Sequence, residues 1–425
     1  MNTPWWYLGG ATVGAWFTKQ ALRPVQRPAL RALPSFFAGW LTNELAFHHL
    51  AWQAAATAGF VRRGALRAWP GKLALGLTLV QWAGIGVLIR RTFASRAAMQ
   101  AAVDQVLAEL GAASGAPADE VDAEFEGVRW SQLVLPFPMR HPDVVRTKAI
   151  TFARAGGIDL QLDVYRRRDL PTGRPVLLYV HGGAWVISNR NEQGIPLMHE
   201  MAARGWVGVN ADYRLSPWAT FPDQLVDVKR AVAWIRDHAD EIGADASFIA
   251  VAGGSAGGHL ASLAALTVNR PGLQPRFEHA DTSLQACVSF YGVYDFLGRD
   301  PHPGHDQFAK FVARYVMKAT PEDDPALYAL ASPIDQIHPD APPFLVVHGS
   351  EDTLAPGVSA ATFARRLREV STSPVGYAEL PGTQHAFDVF PSLRTAYVLD
   401  GVATFLTHAY AHARSVARVA VREEV

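Results

Sequence analysis

Cysteine is nearly missing from this chain. Cys287 is the only one in 425 residues, so neither an internal disulfide nor a cysteine-built zinc site is available. Charge is also scarce. Charged residues make up 18% against 49% hydrophobic, a balance that excludes a disordered chain, a collagen-like fibre and a coiled coil. Formal net charge is zero, so no global field draws in nucleic acid and no nucleic-acid partner is expected. No group of His, Asp and Glu has persuasive metal-ligand spacing, so no metal is expected.

The most informative shortage is local. Residues 1–100 hold a single acid, Glu44, beside 11 Lys and Arg, a net of +10. The remaining 325 residues therefore carry −10. Seven of the 12 tryptophans also fall in this first stretch: Trp5, Trp6, Trp16, Trp40, Trp52, Trp69 and Trp82. Apolar, basic, tryptophan-rich and acid-poor chain suits contact with a membrane. The protein therefore reads as two regions with different solvents.

Three apolar stretches make up the first region: Trp5–Phe17, Phe36–Phe60 and Leu73–Ile89. The third is closed by Lys72 before it and Arg90–Arg91 after it. Its 17 residues reach about 26 Å as a helix, near the lower limit for crossing a hydrocarbon core. The second contains Glu44, which is costly in lipid unless paired. His48 lies one helical turn on and is a possible partner. Basic residues flank every stretch, so the bias that orients spanning helices is weak, and segments dipping into one leaflet from the cytoplasmic side also fit. The expectation is a lipid bilayer partner bound through residues 1–96, with the catalytic domain on the cytoplasmic side. A helical arm packed on the globular domain is the alternative. No cleaved signal peptide is expected, because no basic residue precedes Trp5.

Residues 97–144 read as an amphipathic helix, with Met99, Val103, Val106, Leu107 and Leu110 at helical spacing, followed by a small-residue linker over 111–117. From 145 to 415 short apolar runs alternate with helical stretches, the signature of an α/β domain built on a mostly parallel sheet with helices on both faces. Strands are predicted at 175–180, 206–211, 248–252, 286–291, 343–348 and 375–380, after a hairpin of 148–156 and 159–166. Helices are predicted at 222–238, 256–267, 357–370 and 391–412. Active residues of such sheets gather at the carboxyl ends of strands.

Gly253-Gly254-Ser255-Ala256-Gly257 follows one such strand and opens a helix. This G-x-S-x-G spacing holds a serine on a tight turn with its hydroxyl exposed, and only small neighbours fit there. Alone, it also suits a glycine-rich turn or a phosphate-binding loop. His181-Gly182-Gly183-Ala184-Trp185 follows another strand. Its glycines allow backbone N–H groups to face a cavity, where Gly182, Gly183 and the N–H of Ala256 are expected to form an oxyanion hole. A serine needs a base. His385 and Asp352 each follow a late strand, and Ser255, Asp352, His385 is the hydrolase chain order. His385 would accept the proton of Ser255 while Asp352 orients and stabilises the imidazole ring. Glu351 and Asp295 are weaker candidates for the acid. His348 and His259 read as packed residues, and His181 as a brace for the glycine loop.

These residues, together with Asp212-Tyr213-Arg214-Leu215-Ser216-Pro217 and His348-Gly349-Ser350-Glu351-Asp352, resemble the hormone-sensitive-lipase group of serine esterases within the α/β-hydrolase fold. The resemblance covers roughly 145–412. It implies hydrolysis of carboxylic esters with short to medium acyl chains through an acyl-enzyme, without a cofactor. Two departures bear on the acyl and alcohol pockets: the group usually has a third glycine where Ala184 stands, and often an acid or threonine where Gly254 stands. The whole chain, with Phe-Ala-Gly-Trp-Leu-Thr at 37–42, is similar to mycobacterial-type membrane-associated lipase/esterases. Two related chemistries are alternatives: kynurenine formamidases share the His-Gly-Gly-x-Trp pattern, and membrane-bound prenylcysteine methylesterases have a similar Gly-Gly-Ala-Trp. A non-catalytic receptor on the same fold is a third reading, disfavoured by the presence of His385.

Overall fold

The computed structural model describes residues 3–25, 29–111, 130–137, 139–300, 305–355 and 357–423. Helix α1 spans Thr3–Leu22, α2 Ala29–Glu44, α3 Ala46–Arg62 and α4 Trp69–Gly111. The second apolar stretch is thus two helices, broken at Leu45 where φ is −104° and ψ is 31°. The third apolar stretch and the amphipathic stretch after it form one helix of 43 residues. The expected division between 96 and 97 falls inside α4, because neither proline nor glycine interrupts residues 87–110. Most of the linker expected at 111–117 lies outside the described residues.

Much of the helical region's interior is small or polar, beside a few larger buried side chains, Tyr7, Phe36, Ile85 and Leu88. Gly39 sits against the Gln20 backbone and Gly84 against Thr18, and neither has room for a Cβ. Gln81 Nε2 donates to Ala11 O at 2.7 Å, and Ser35 Oγ donates to Gln20 Oε1 at 2.7 Å. Large apolar side chains point outward instead: Trp5, Trp16, Phe37, Phe47, Trp52 and Phe93 are exposed, with Trp6 at 74% and Val80 at 69%.

The second region is a sheet of eight strands in the order β1-β2-β4-β3-β5-β6-β7-β8. They span Val144–Ala155, Ile158–Arg167, Arg174–Val180, Val207–Ala211, Ala244–Gly254, Ala286–Phe290, Phe344–Gly349 and Val375–Leu380 in chain order. β1 and β2 form the expected antiparallel hairpin, and β2 pairs antiparallel with β4. The rest is parallel. The central strands are buried on both faces, which explains their continuous Val, Leu, Ile and Phe runs. One face is covered by the helices Asp223–Asp237, Ala256–Leu266 and Val358–Val370. The other is covered by Ile195–Ala203, Leu393–Glu423 and the second half of α4, whose Met99, Val103 and Val106 join Leu345 and Val347 in one core. So α4 belongs to both regions: its first half lies among α1–α3 and its second half roofs the sheet. The helix Ile195–Ala203 was not predicted; its short apolar run gave no period to count.

Candidate active site

The parallel strands all present their carboxyl ends at one rim, and the motif residues leave from there. Ser255 follows β5 directly and takes φ 58° and ψ −120°, a left-handed value strained for a residue with a Cβ. Its own N–H donates to Phe290 O at 2.9 Å, across to the end of β6. The flanking glycines make this turn possible. A Cβ on Gly253 would strike the Gly257 carbonyl, and one on Gly257 would strike Val180 O of β3.

Asp352 follows β7 and His385 follows β8, and these strands are neighbours. Asp352 Oδ2 is 2.7 Å from His385 Nδ1. Its other oxygen accepts from Leu354 N at 2.9 Å and Ala355 N at 2.8 Å. Burial alone would push the Asp352 carboxyl upward, but the charge and hydrogen bonds of His385 and His348 outweigh it and hold the group well below its ordinary 3.8. The Tyr291 ring lies 4.5 Å from the His385 ring, centre to centre. Tyr291 follows Phe290, the residue that receives the Ser255 N–H, so the Ser255 turn and His385 flank one aromatic segment. Among the described residues no hydrogen bond joins Ser255 to His385. Such contacts commonly tighten only when substrate is bound.

The glycine loop departs from expectation at one donor. Gly182 N–H is engaged by Gln193 Oε1 at 2.8 Å. The N–H groups of Gly183 and Ala256 engage no acceptor among the described residues. Gly183 has φ 114°, where a side chain would be strained. Ala256 is the first residue of its helix, where an N–H has no intrahelical partner. His181 braces the loop as expected: its ring stacks on Tyr213 at 4.3 Å, and Tyr213 Oη donates to His181 O at 3.0 Å. Burial lowers the tendency of His181 to take up a proton.

His259 is part of the core. Its Nδ1 accepts from Trp185 Nε1 at 3.2 Å, its Nε2 donates to Ala331 O at 2.7 Å, and burial drives its pKa down to about 3. Asp295 is tied up by Arg299, with 2.9 Å between Oδ1 and Nη2. Phe308 meets Trp185 at 6.3 Å between ring centres. Residues 301–304 lie outside the described set.

Three neighbours support the site: His348, expected only to pack, and Gln384 and Gln193, which no motif marks. His348 is fully buried, with Nε2 3.3 Å from Asp352 Oδ2 and 2.5 Å from Ala355 O. Gln384 Oε1 accepts from Thr353 N at 3.0 Å and thereby ties the acid's loop to the histidine's. Gln193 secures Gly182. For Gln384, adjacency to His385 was an available clue; the other two depend on packing.

Comparison with known proteins fits this architecture. The BD-FAE family model matches residues 162–367. Across 409 residues the chain is 40% identical to "Probable carboxylic ester hydrolase LipM" of Mycobacterium tuberculosis, covering 94% of this chain and 92% of LipM. Over 253 residues it is 45% identical to "Esterase LipQ" of the same organism, covering 59% of this chain and 60% of LipQ. The match therefore spans about three fifths of LipQ but nearly all of LipM. A solved truncated carbohydrate esterase from gut microbiota shares the fold, with a TM-score of 0.54 at 21% identity over 64% of this chain and 98% of that one. The sheet region has the α/β-hydrolase fold.

Proposed function

Because this chain belongs to the family of LipM, within the hormone-sensitive-lipase group of serine esterases, we propose that it hydrolyses lipophilic carboxylic esters with Ser255 as nucleophile. The observation that carries the site assignment is the buried Asp352–His385 pair at 2.7 Å, set at the same rim as a serine on a strained strand–turn–helix elbow. His385 Nδ1–H is held by the Asp352 carboxylate, which leaves Nε2 to take the proton of Ser255 Oγ as that oxygen attacks the ester carbonyl. The oxyanion is received by the N–H groups of Gly183 and Ala256, with Gly182 kept in place by Gln193 rather than donating. His385 then protonates the leaving alcohol. Water, deprotonated by the same imidazole, releases the acid from the acyl-enzyme. No step of this sequence calls for a cofactor.

The substrate class follows from what surrounds the rim and what is attached to it. Ile187, Trp218 and Leu354 are exposed on loops of that edge, Trp218 at 87%. The helical region supports a bilayer partner. Its interior of glycine, threonine and glutamine contacts, with aromatic and branched side chains turned outward, is how helices pack in lipid. Among the described residues one helix, α4, is long and apolar enough to cross a membrane. Held there, the site meets esters that partition into the bilayer. The test is turnover of acyl p-nitrophenyl esters by wild type and Ser255→Ala, with fluorophosphonate labelling mapped to the modified residue. Undiminished turnover by the variant, or labelling elsewhere, would end this reading. A preference for N-formylkynurenine or a prenylcysteine methyl ester over plain acyl esters would move the substrate but keep the machinery.

A further inference from the structure

The catalytic histidine's loop is held from outside the sheet domain. Residues 381–392 connect β8 to the helix Leu393–Glu423 and carry His385. On the acid's side, Gly382 N donates to Ser350 Oγ at 2.8 Å and Glu351 N donates to Thr383 O at 3.0 Å. On the opposite side, the loop carbonyls are taken by α2. Asn43 Nδ2 donates to Gly382 O at 2.7 Å, and Trp40 Nε1 donates to Ala386 O at 2.9 Å. These two carbonyls bracket His385. Ala386 has φ 55°, a left-handed conformation that persists only when its surroundings enforce it. The Trp40 bond falls on that strained residue, and the Trp40 ring packs on Phe390 at 5.3 Å.

The end of the loop is anchored to the same helix. Glu44 accepts from Ser392 Oγ at 2.9 Å and pairs with Arg394, both charges being fully buried. Arg394 also donates to Ser95 Oγ and Thr92 Oγ1 of α4, each at 3.2 Å. Glu44, for which His48 was one possible partner, therefore serves as the buried counter-ion of the sheet domain's last helix. α2 thus has two working faces: Trp40, Asn43 and Glu44 grip the histidine loop, while Leu33, Phe37 and Leu41 are exposed.

We infer that Trp40 and Asn43 are positioning residues for His385, so that the amino-terminal helical region is a working part of the catalytic apparatus as well as an anchor. The inference rests on His385 being the base. Loosening either carbonyl lets the loop relax Ala386 and turns the imidazole away from the line between Asp352 and Ser255. The effect falls on proton transfer and leaves ester binding alone.

The experiment uses the full chain in detergent with an acyl p-nitrophenyl ester. Trp40→Phe keeps the ring and removes the N–H; Asn43→Ser is the second variant in case the first packs poorly. Each is expected to lower kcat about fivefold, the effect of one lost hydrogen bond, with KM and the melting temperature unchanged. Each is then repeated in a His385→Ala background. A positioning residue has nothing left to position there, so the residual rate is expected not to fall further. Unchanged kcat in both variants, an equal loss in both backgrounds, or a loss that tracks melting would overturn the clamp alone. Full turnover by His385→Ala by itself would overturn the reading of the site and the clamp with it.

Discussion

The two regions of this molecule place similar residues on opposite sides of their surfaces. In the sheet domain, Leu177, Ile249, Val288 and Phe344 are fully buried. In the helical region the buried positions include Ala11, Ala74, Thr78 and Gln81 beside Tyr7, Phe36, Ile85 and Leu88, while Trp6, Phe37 and Val80 are among the large side chains that face outward. The sheet domain follows from expulsion of apolar surface by water. The helical region adds close approach of small residues and internal hydrogen bonds to its few apolar contacts, a balance that suits the apolar solvent proposed for it. α4 crosses from one regime to the other within a single helix, and α2 carries the contact between them down to the proposed base.

The sharpest separation of the regions comes from the serine. Ser255→Ala is expected to lower kcat by at least about 10³-fold while leaving co-flotation with anionic vesicles unchanged. Loss of flotation would mean that the regions do not divide the labour this way. Asp352→Asn is next, with a fall in kcat of about 10²- to 10⁴-fold, since the amide holds the wrong histidine tautomer. Steady-state kinetics at pH 8 with a melting control measures it.

Two further outcomes concern solvent. Val80→Arg puts a charge on the outward face of α4, where the cost in lipid is about 3 kcal/mol. Vesicle partitioning should fall about 100-fold, with detergent activity within twofold of wild type. Leu345→Ala, in the core shared by β7 and α4, should cost about 2–5 kcal/mol in stability, read from denaturant midpoints. Equal effects of the two substitutions on partitioning would erase the distinction between the regions.

The smallest effect is acid sensitivity. The Asp352 carboxyl is held below its ordinary value in the folded chain, so it adds stability above pH 3.8 that is lost as pH falls toward its lowered value. The melting temperature should therefore lose this contribution only in strong acid, as thermal melts across an acid series would read it. An Asp352-dependent loss of melting temperature already from pH 7 downward would contradict the assignment.

Much of this was legible in the amino-acid order. The strand ends that carry the Gly-Gly loop, the serine turn, Asp352 and His385 follow from short apolar runs and glycine placement. These are local effects, acting through backbone sterics and two- or four-residue periods. The basic, tryptophan-rich and acid-poor opening likewise sets the first region apart by composition alone. What composition and period cannot encode is which distant groups meet. Gln193 occupies the N–H of Gly182, His348 shares Asp352 with His385, Glu44 takes Arg394 in place of His48, and Trp40 reaches Ala386 across more than three hundred residues. Each is a pairing chosen by packing, because a buried polar group must find a partner somewhere and the chain order does not say where. The residue types and the rim they occupy were thus set by sequence, and the contacts that hold them in working register were set only when the helices closed on the sheet.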